Sequence, residues 1–326
     1  MKSHSVETEI LSLQIPTPFN VGPINIFLIK GEMLTLVDTG PKTIEARELL
    51  DAFLKKNGFS WSDIGQVFLT HQHVDHTGLL AEVHERSGAT VIAHPDAVPY
   101  IEMDAGFVEY HDAFFLRIYQ ENGVPDEMLG HVIKFRQMME KFGEPAPVHV
   151  RVEGGVPLQG VEEWKTVFTP GHTQNHLALY REQDGWMLSG DFLIKEISSN
   201  AFLEPPVYRE MPRARPLLVY REAMGRVAKM NVTRMFSAHG EEITEHRELI
   251  EHRLRRHGER ADKIHQLLEE GPKTAFELSV SLFPKIFSKE LPLTFSETLG
   301  HLDLLEAAQR VEVVELGGVK KYRRVE

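Results

Sequence analysis

The segment Thr70-His71-Gln72-His73-Val74-Asp75-His76-Thr77-Gly78 constrains this chain more than any other, because it crowds three histidines and a carboxylate into six positions. Imidazole and carboxylate are the donors that Zn²⁺, and less often Fe or Mn, accept. One ion cannot use them all. His71 and His73 lie two apart, so in an extended segment they project to the same side and can grip one ion. Asp75 and His76, displaced by a bend, reach a second. The apolar run at 66–69 predicts a buried strand and 78–87 a helix, which sets the donors on a loop at a strand end. The alternative is a histidine-rich surface loop among the 17 histidines of the chain. Which reading holds depends on whether the rest of the sequence supplies partner donors.

No cysteine occurs, so disulfides and thiolate ligands are excluded and any metal must be held by His, Asp or Glu. The 326 residues, 42% hydrophobic, suffice for one large domain and a small one. The formal charge is −12, concentrated before residue 245, so the overall field does not attract a polyanion such as nucleic acid. The first residues lack the apolar core of a secretory signal, and no apolar run approaches membrane-spanning length. These features lead to the expectation of a cytoplasmic enzyme with no membrane partner.

Taken in order, the chain opens with three expected strands at 6–15, 25–30 and 33–37, the last two joined by Gly31-Glu32 as a hairpin. Asp38-Thr39-Gly40-Pro41 ends the third, and a helix is expected over 43–57. Asp38 is either a turn-forming residue or a carboxylate that orients a ligand imidazole. After a strand at 90–93 the rhythm changes, and from 97 to about 142 the spacing of aromatic and Met residues is helical. This stretch reads as an insert. Its aromatics serve either as core or as a lid over the site, in which case Tyr110 and Phe114 touch an apolar substrate group. Strands resume at 148–152, 164–168, 177–180, 186–189 and 234–238. Five strands thus deliver, just past their ends, Asp38, the 71–76 cluster, His172, Asp191 and His239, which is how a site is assembled along one edge of a layered sheet.

That ordered series resembles the metallo-β-lactamase-fold hydrolases, specifically their glyoxalase II-like branch. The residues that carry the resemblance are Thr-His-x-His-x-Asp-His at 70–76, Pro-Gly-His at 170–172, Ser-Gly-Asp at 189–191, Ala-His-Gly at 238–240 and Asp38-Thr39-Gly40. The resemblance covers 6 to about 245. It implies an α/β fold, a four-layer αβ/βα sandwich with the site at one edge of two facing sheets. It further implies two metal ions per chain, Zn²⁺ or alternatively Fe or Mn. His71, His73 and His172 would hold the first, Asp75, His76 and His239 the second, and Asp191 would bridge them. Asp75 and Asp191 are the expected catalytic carboxylates and Asp38 the supporting one. Gln174-Asn175 departs from the branch pattern, where a Gly commonly precedes the next histidine, and His176 is read as a buried structural residue.

The domain expectation is a catalytic domain over 1–245 containing the insert at about 97–142, a connecting helix over 246–270, and a small C-terminal domain over 271–326. In the last, helices at 274–282 and 294–308 and a hairpin formed by 311–315 and 319–324 give a winged-helix pattern. This pairing resembles the group that includes lactamase-β-like protein 2, which brings single-stranded RNA into consideration. The second helix carries Glu297, Asp303 and Glu306, the wrong charge for reading a groove. Lys320-Lys321-Tyr322-Arg323-Arg324 is basic but suits a solvated hairpin equally. The domain is therefore read as a packing, dimerising or substrate-enclosing module, with a homodimer left open. Arg209, Arg213, Arg215 and Arg221 are either a clamp for an anionic carrier or surface residues. The expected activity is hydrolysis of a thioester or ester, of acyl-CoA, acyl-glutathione or lactone type, by a metal-bridging hydroxide on a small-molecule acyl substrate. The alternatives are an RNA phosphodiesterase and a metal-binding regulatory protein without catalysis.

Overall fold

The structure is a computed structural model that describes residues 9–325. In the first sheet, β1 (Glu9–Ile15) pairs antiparallel with β2 (Ile24–Lys30), and β2 with β3 (Leu34–Val37). Positions 6–8 of the first expected strand lie outside the described residues. Beyond β3 the ladder turns parallel. α1 (Ile44–Lys56) leads to β4 (Ile64–Phe68), and the donor loop, α2 (Val74–Thr77) and α3 (Leu80–Ser87) lead to β5 (Thr90–Ala93). The chain then leaves the sheet for α4 (Val98–Ile101), α5 (Ala105–Glu121) and α6 (Asp126–Met139), and returns as the short β6 (Val150–Arg151) beside β5. Three α-helices thus separate β5 from β6.

The second sheet runs β11-β10-β9-β8-β7, with β7 (Pro157–Leu158), β8 (Val161–Phe168), β9 (Leu177–Arg181), β10 (Trp186–Gly190) and β11 (Arg234–Ser237). β10 and β11 are parallel, joined by a crossover through α7 (Pro216–Val227); the other pairs are antiparallel. No expectation covered α7. Its signal was present in Leu217, Tyr220, Met224 and Val227, buried at helical spacing behind Pro216 at the first turn.

Side-chain alternation makes the layers. On β2, Ile24, Ile26 and Leu28 pack with Ala46, Leu50 and Leu54 of α1 and Leu80 and Val83 of α3. The intervening Phe27 and Ile29 face the other way, meeting Trp164, Leu177, Leu179 and Leu188 of the second sheet. Beyond that sheet, Ala178, Met187 and Met235 pack on α7 and on Ile250 of α8 (His246–Leu267). The order is helices, sheet, sheet, helices. Both sheets are therefore covered on both faces, and only their edges are left to carry polar groups.

The remaining chain forms α9 (Ala275–Leu282), α10 (Leu291–Ala307) and the hairpin of β12 (Val311–Leu316) with β13 (Val319–Arg324). Thr274 and Glu277 close a capping box at the start of α9. These elements share one apolar cluster with the insert, in which Phe114, Phe115 and Tyr119 of α5 meet Phe295, Leu302 and Tyr322. The Tyr119 and Phe295 rings lie 4.7 Å apart. Among the described residues, no helix is long and apolar enough to cross a membrane.

Candidate metal centre

β3, β4, β8, β10 and β11 all end at the same edge of the sandwich. Two contacts lock the two sheets there: Leu177 N–H donates to Thr70 O at 2.8 Å, and Asn25 N–H donates to Ala238 O at 2.6 Å. Just past these ends stand the expected donors, each almost wholly buried apart from His73, which is half-buried. They fall into three overlapping groups, His71–His73–His172, His71–His76–Asp191 and Asp75–His76–His239, with the ligand atoms of each within 4.8 Å of one another.

Hydrogen bonds assign the tautomers. His76 Nδ1 is 2.8 Å from Asp38 Oδ2, His172 Nδ1 is 3.0 Å from Asn200 O, and His239 Nδ1 is 2.9 Å from Pro23 O. Each partner only accepts, so each of these Nδ1 atoms carries the proton and each Nε2 turns a lone pair inward. The Thr70 hydroxyl donates to Asp38 Oδ2 at 2.8 Å, which leaves it to accept from His71 Nδ1 at 3.1 Å. His71 Nε2 is thereby a lone pair as well. It lies 2.9 Å from His73 Nδ1, which in turn lies 3.1 Å from His172 Nε2. His71 Nε2 and His172 Nε2 thus turn lone pairs toward His73 Nδ1 from two sides, an arrangement that a cation among the three would satisfy. In the second set His239 Nε2 is 3.4 Å from Asp75 Oδ2 and 3.6 Å from Asp191 Oδ1, and His76 Nε2 is 3.5 Å from Asp191 Oδ1. Those two nitrogens and Asp191 Oδ1 are buried without a hydrogen-bond partner, so the donor set fits divalent cations.

Titration follows the same division. Burial, reinforced by the neighbouring imidazoles, holds His71 well below its ordinary pKa and brings His73 down to about 3, so both are free to ligate at neutral pH. Burial also acts against a charged His76, but the carboxylates of Asp38, Asp191 and Asp75 outweigh it and raise its pKa well above the ordinary value. Burial likewise opposes ionisation of Asp191, and His239, His76 and His172 outweigh it, holding the carboxyl far below its usual range. Burial also acts against a charged His239, and Asp191 and Asp75 outweigh it and raise its pKa, so the carboxylates of this set favour positive charge at the place where a cation would supply it.

The backbone supports this arrangement at a cost. Asp38 sits at φ 59°, a left-handed conformation uncommon outside glycine, and from there its carboxylate accepts from both the Thr70 N–H and the Thr70 hydroxyl. Gly190, at φ 51°, precedes Asp191, and a Cβ there would stand 2.7 Å from His176 Nε2. His176 itself accepts from the Asp191 N–H at 3.1 Å and donates to Thr169 Oγ1 at 2.8 Å. Both its nitrogens are occupied, which agrees with the structural role read from the sequence.

A cavity of about 640 Å³ opens beside the donors, with His73, Asp75, His172 and Asp191 in its wall. The rest of the wall is mainly apolar, including Phe19, Phe107, Phe115, Met139, Phe202 and Leu293. Tyr110 and Phe114 do not line it; the inward face of α5 carries Phe107, His111 and Phe115, and Phe114 packs in the apolar cluster shared with the tail. The expected arginine clamp is not brought to the cavity either. Arg213 forks onto Asp303 of α10 at 2.8 and 2.5 Å, and Arg215 pairs with Glu306 at 2.7 Å. Arg209 lies over the Tyr110 ring, 4.8 Å from its centroid, and donates to Gly106 O, while Arg221 donates to Leu254 O. These guanidinium groups already have partners, Arg209, Arg213 and Arg215 tying the 199–215 segment to its surroundings and Arg221 tying α7 to α8. Among the described lining residues the one guanidinium, Arg136, is held by Asp112 and Glu140. Gln72 and Glu204, absent from the expected site, stand in the wall. A carboxylate inside the apolar run Ala201-Phe202-Leu203-Glu204-Pro205 was the signal that could have found the latter.

The model of the metallo-beta-lactamase superfamily matches residues 19–239. The chain belongs to that superfamily. Among relatives of this metallo-beta-lactamase-superfamily chain is the probable metallo-hydrolase YqjP of Bacillus subtilis, 37% identical over 303 residues, covering 93% of this chain and 94% of that protein. A beta-lactamase-like protein 2 homolog from Caenorhabditis elegans is 25% identical over 75% of this chain and 66% of that protein. Of solved structures, the metallo-beta-lactamase family protein TTHA1429 from Thermus thermophilus superposes with a TM-score of 0.81 at 28% identity, covering 97% of this chain and 98% of that one. With its fold, family and donor set, this protein is a metal-dependent hydrolase.

Proposed function

We propose that the protein is a dinuclear hydrolase of carboxylic thioesters or esters whose acyl part is apolar and uncharged. One observation carries this reading: four of the seven donor residues stand in the wall of a cavity whose remaining wall is mainly apolar. His71, His73 and His172 would hold one ion, Asp75, His76 and His239 the other, and Asp191 both. Zinc suits the all-nitrogen-and-oxygen donors. When bound, such ions supply an activated water and polarise the carbonyl oxygen. The chain's own share is positional. Asp38, Asn200 O and Pro23 O keep imidazole lone pairs aimed inward, and Phe107, Phe115 and Leu293 exclude water from an acyl group. Because Arg136 is neutralised by two carboxylates, no unpaired guanidinium among the described lining residues remains to receive an anion away from the ions themselves, and an anionic carrier such as CoA would lie outside the cavity.

We read 271–326 as a winged-helix-like module that closes the cavity rather than one that binds nucleic acid. In support, Glu290, Pro292, Leu293 and Ser296 line the cavity, and α10 is buried along most of its length. The basic hairpin is also engaged: Lys320 pairs with Glu121, Arg323 with Glu312 and Arg324 with Glu269. The test is metal analysis joined to a panel of acyl-CoA, acyl-glutathione, lactone and single-stranded RNA substrates. Two ions per chain with turnover of an apolar acyl thioester or ester are expected. Turnover of RNA alone, with steep salt dependence, would overturn the reading.

A further inference from the structure

The first donor triad spans two sheets: His71 and His73 follow β4 in one, and His172 follows β8 in the other. Something must set the distance between those loops, and the segment from Asn200 to Pro205 lies against both. Asn200 O accepts from His172 Nδ1 at 3.0 Å, and Phe202 N–H donates to His172 O at 3.1 Å. The Phe202 ring meets the His73 and His172 rings edge-on, with centroids 5.0 and 5.3 Å away. At the end of the segment, Glu204, buried at 7% exposure, spans the gap. Its Oε1 accepts from Gln72 Nε2 at 2.5 Å, and Gln72 sits between His71 and His73; its Oε2 accepts from the Gln174 N–H at 2.7 Å, two residues past His172. Gln174 Nε2 returns a bond to Pro205 O at 2.8 Å. The second donor set takes its orienting contacts from Asp38 and Pro23 instead.

We propose that Glu204 is a positioning residue for the first ion, a carboxylate that ties the loop bearing His71 and His73 to the loop bearing His172. This rests on the dinuclear reading above. Because the tie touches one donor set and not the other, its removal weakens one ion selectively, whereas a packing defect weakens both or neither.

The experiment is a zinc titration of the full chain against a competing chelator, with cadmium NMR giving each ion its own resonance. Glu204→Ala is expected to weaken one equivalent by about 10–100-fold, the magnitude found when a group supporting a ligand is lost, and to shift one resonance. The second equivalent should hold its wild-type affinity. Glu204→Gln is expected to keep affinity within about threefold of wild type, since the new amide can accept from the Gln174 N–H and, once the Gln72 amide turns over, donate to Gln72 Oε1, which has no partner here. Should Glu204→Ala not fold, Gln72→Met cuts one arm of the tie and should weaken the same ion severalfold. Unchanged affinity for both ions in Glu204→Ala and Gln72→Met, or equal weakening of both, overturns the proposal. Wild-type protein that binds no zinc overturns the dinuclear reading with it, and the wild-type titration alone reveals that case.

Discussion

Each donor at the sheet edge stands a few residues past the end of a strand, whereas the cavity beside it is walled by the loop at 18–21, the helices α5 and α6, the segment 194–204 and the start of α10. Most donors follow strands held by ladder hydrogen bonds, which tolerate little displacement, while Asp75 and His76 sit on α2, and the imidazoles are oriented by single acceptors such as Asp38 and Pro23 O. The wall is placed by side-chain packing between segments that are neighbours only in the folded chain. A change at the donor edge should therefore act on turnover, while a change in the wall or its supports should act on stability and on substrate choice.

The largest expected effect tests the donor side of that contrast. Replacing His71 or Asp191 by Ala should cut turnover of any accepted ester by at least about 10³-fold, the equivalent of several kcal/mol of lost metal assistance, with circular dichroism unchanged. Near-wild-type turnover in either variant would remove the cluster from the chemistry.

Arg213 tests the support side. Its removal leaves Asp303, 3% exposed, without its partner, so Arg213→Ala should lose about 3–5 kcal/mol in urea unfolding. Replacing Arg213 and Asp303 together by Leu should recover most of that. Turnover of a short ester per folded molecule is expected to stay near wild type. A large rise in KM for anionic substrates alone would return the arginine to the site.

Glu204 joins the two regions, and its titration gives a pH signature. Burial pushes its carboxyl up to about 7, against the ordinary 4.5, despite the bonds from Gln174 and Gln72. Between those values the folded metal-free chain binds more protons than the unfolded one, so the contribution of Glu204 to stability falls as pH rises from about 4.5 and levels off above about 7. Compared with Glu204→Gln in the presence of chelator, wild type should lose on the order of 3 kcal/mol across that window. A difference in stability that does not vary with pH would contradict the raised value.

The smallest expected effect concerns selectivity. Phe107→Ala should lower kcat/KM for an octanoyl ester relative to an acetyl ester by about tenfold, the scale of 1–3 kcal/mol for a lost apolar contact, and leave the acetyl ester unchanged. Equal loss on both esters would mean that the cavity does not hold the acyl group.

The donors were legible because strand ends recur as short apolar runs, and Asp38, His71, His172, Asp191 and His239 each follow one. His176 is set apart in the sequence by the Gln174-Asn175 pair before it, and in the fold by its two hydrogen bonds. The arginines were misplaced for the opposite reason: a guanidinium looks the same in sequence whether it faces an anionic ligand or, like Arg213, a carboxylate some ninety positions away. Tyr110 and Phe114 failed by rotation alone, since Phe107, His111 and Phe115 on the same helix turn toward the cavity instead.

The sequence by itself determined the periodic elements, the ordered donor series and the exclusion of thiolate ligands, because periodicity and residue chemistry are local properties. Only the tertiary structure decided which face of α5 meets the cavity, that the C-terminal helices complete its wall, and that Glu204 spans two donor loops. Those relations join residues far apart in the chain, and packing, which settles them, leaves no period to read.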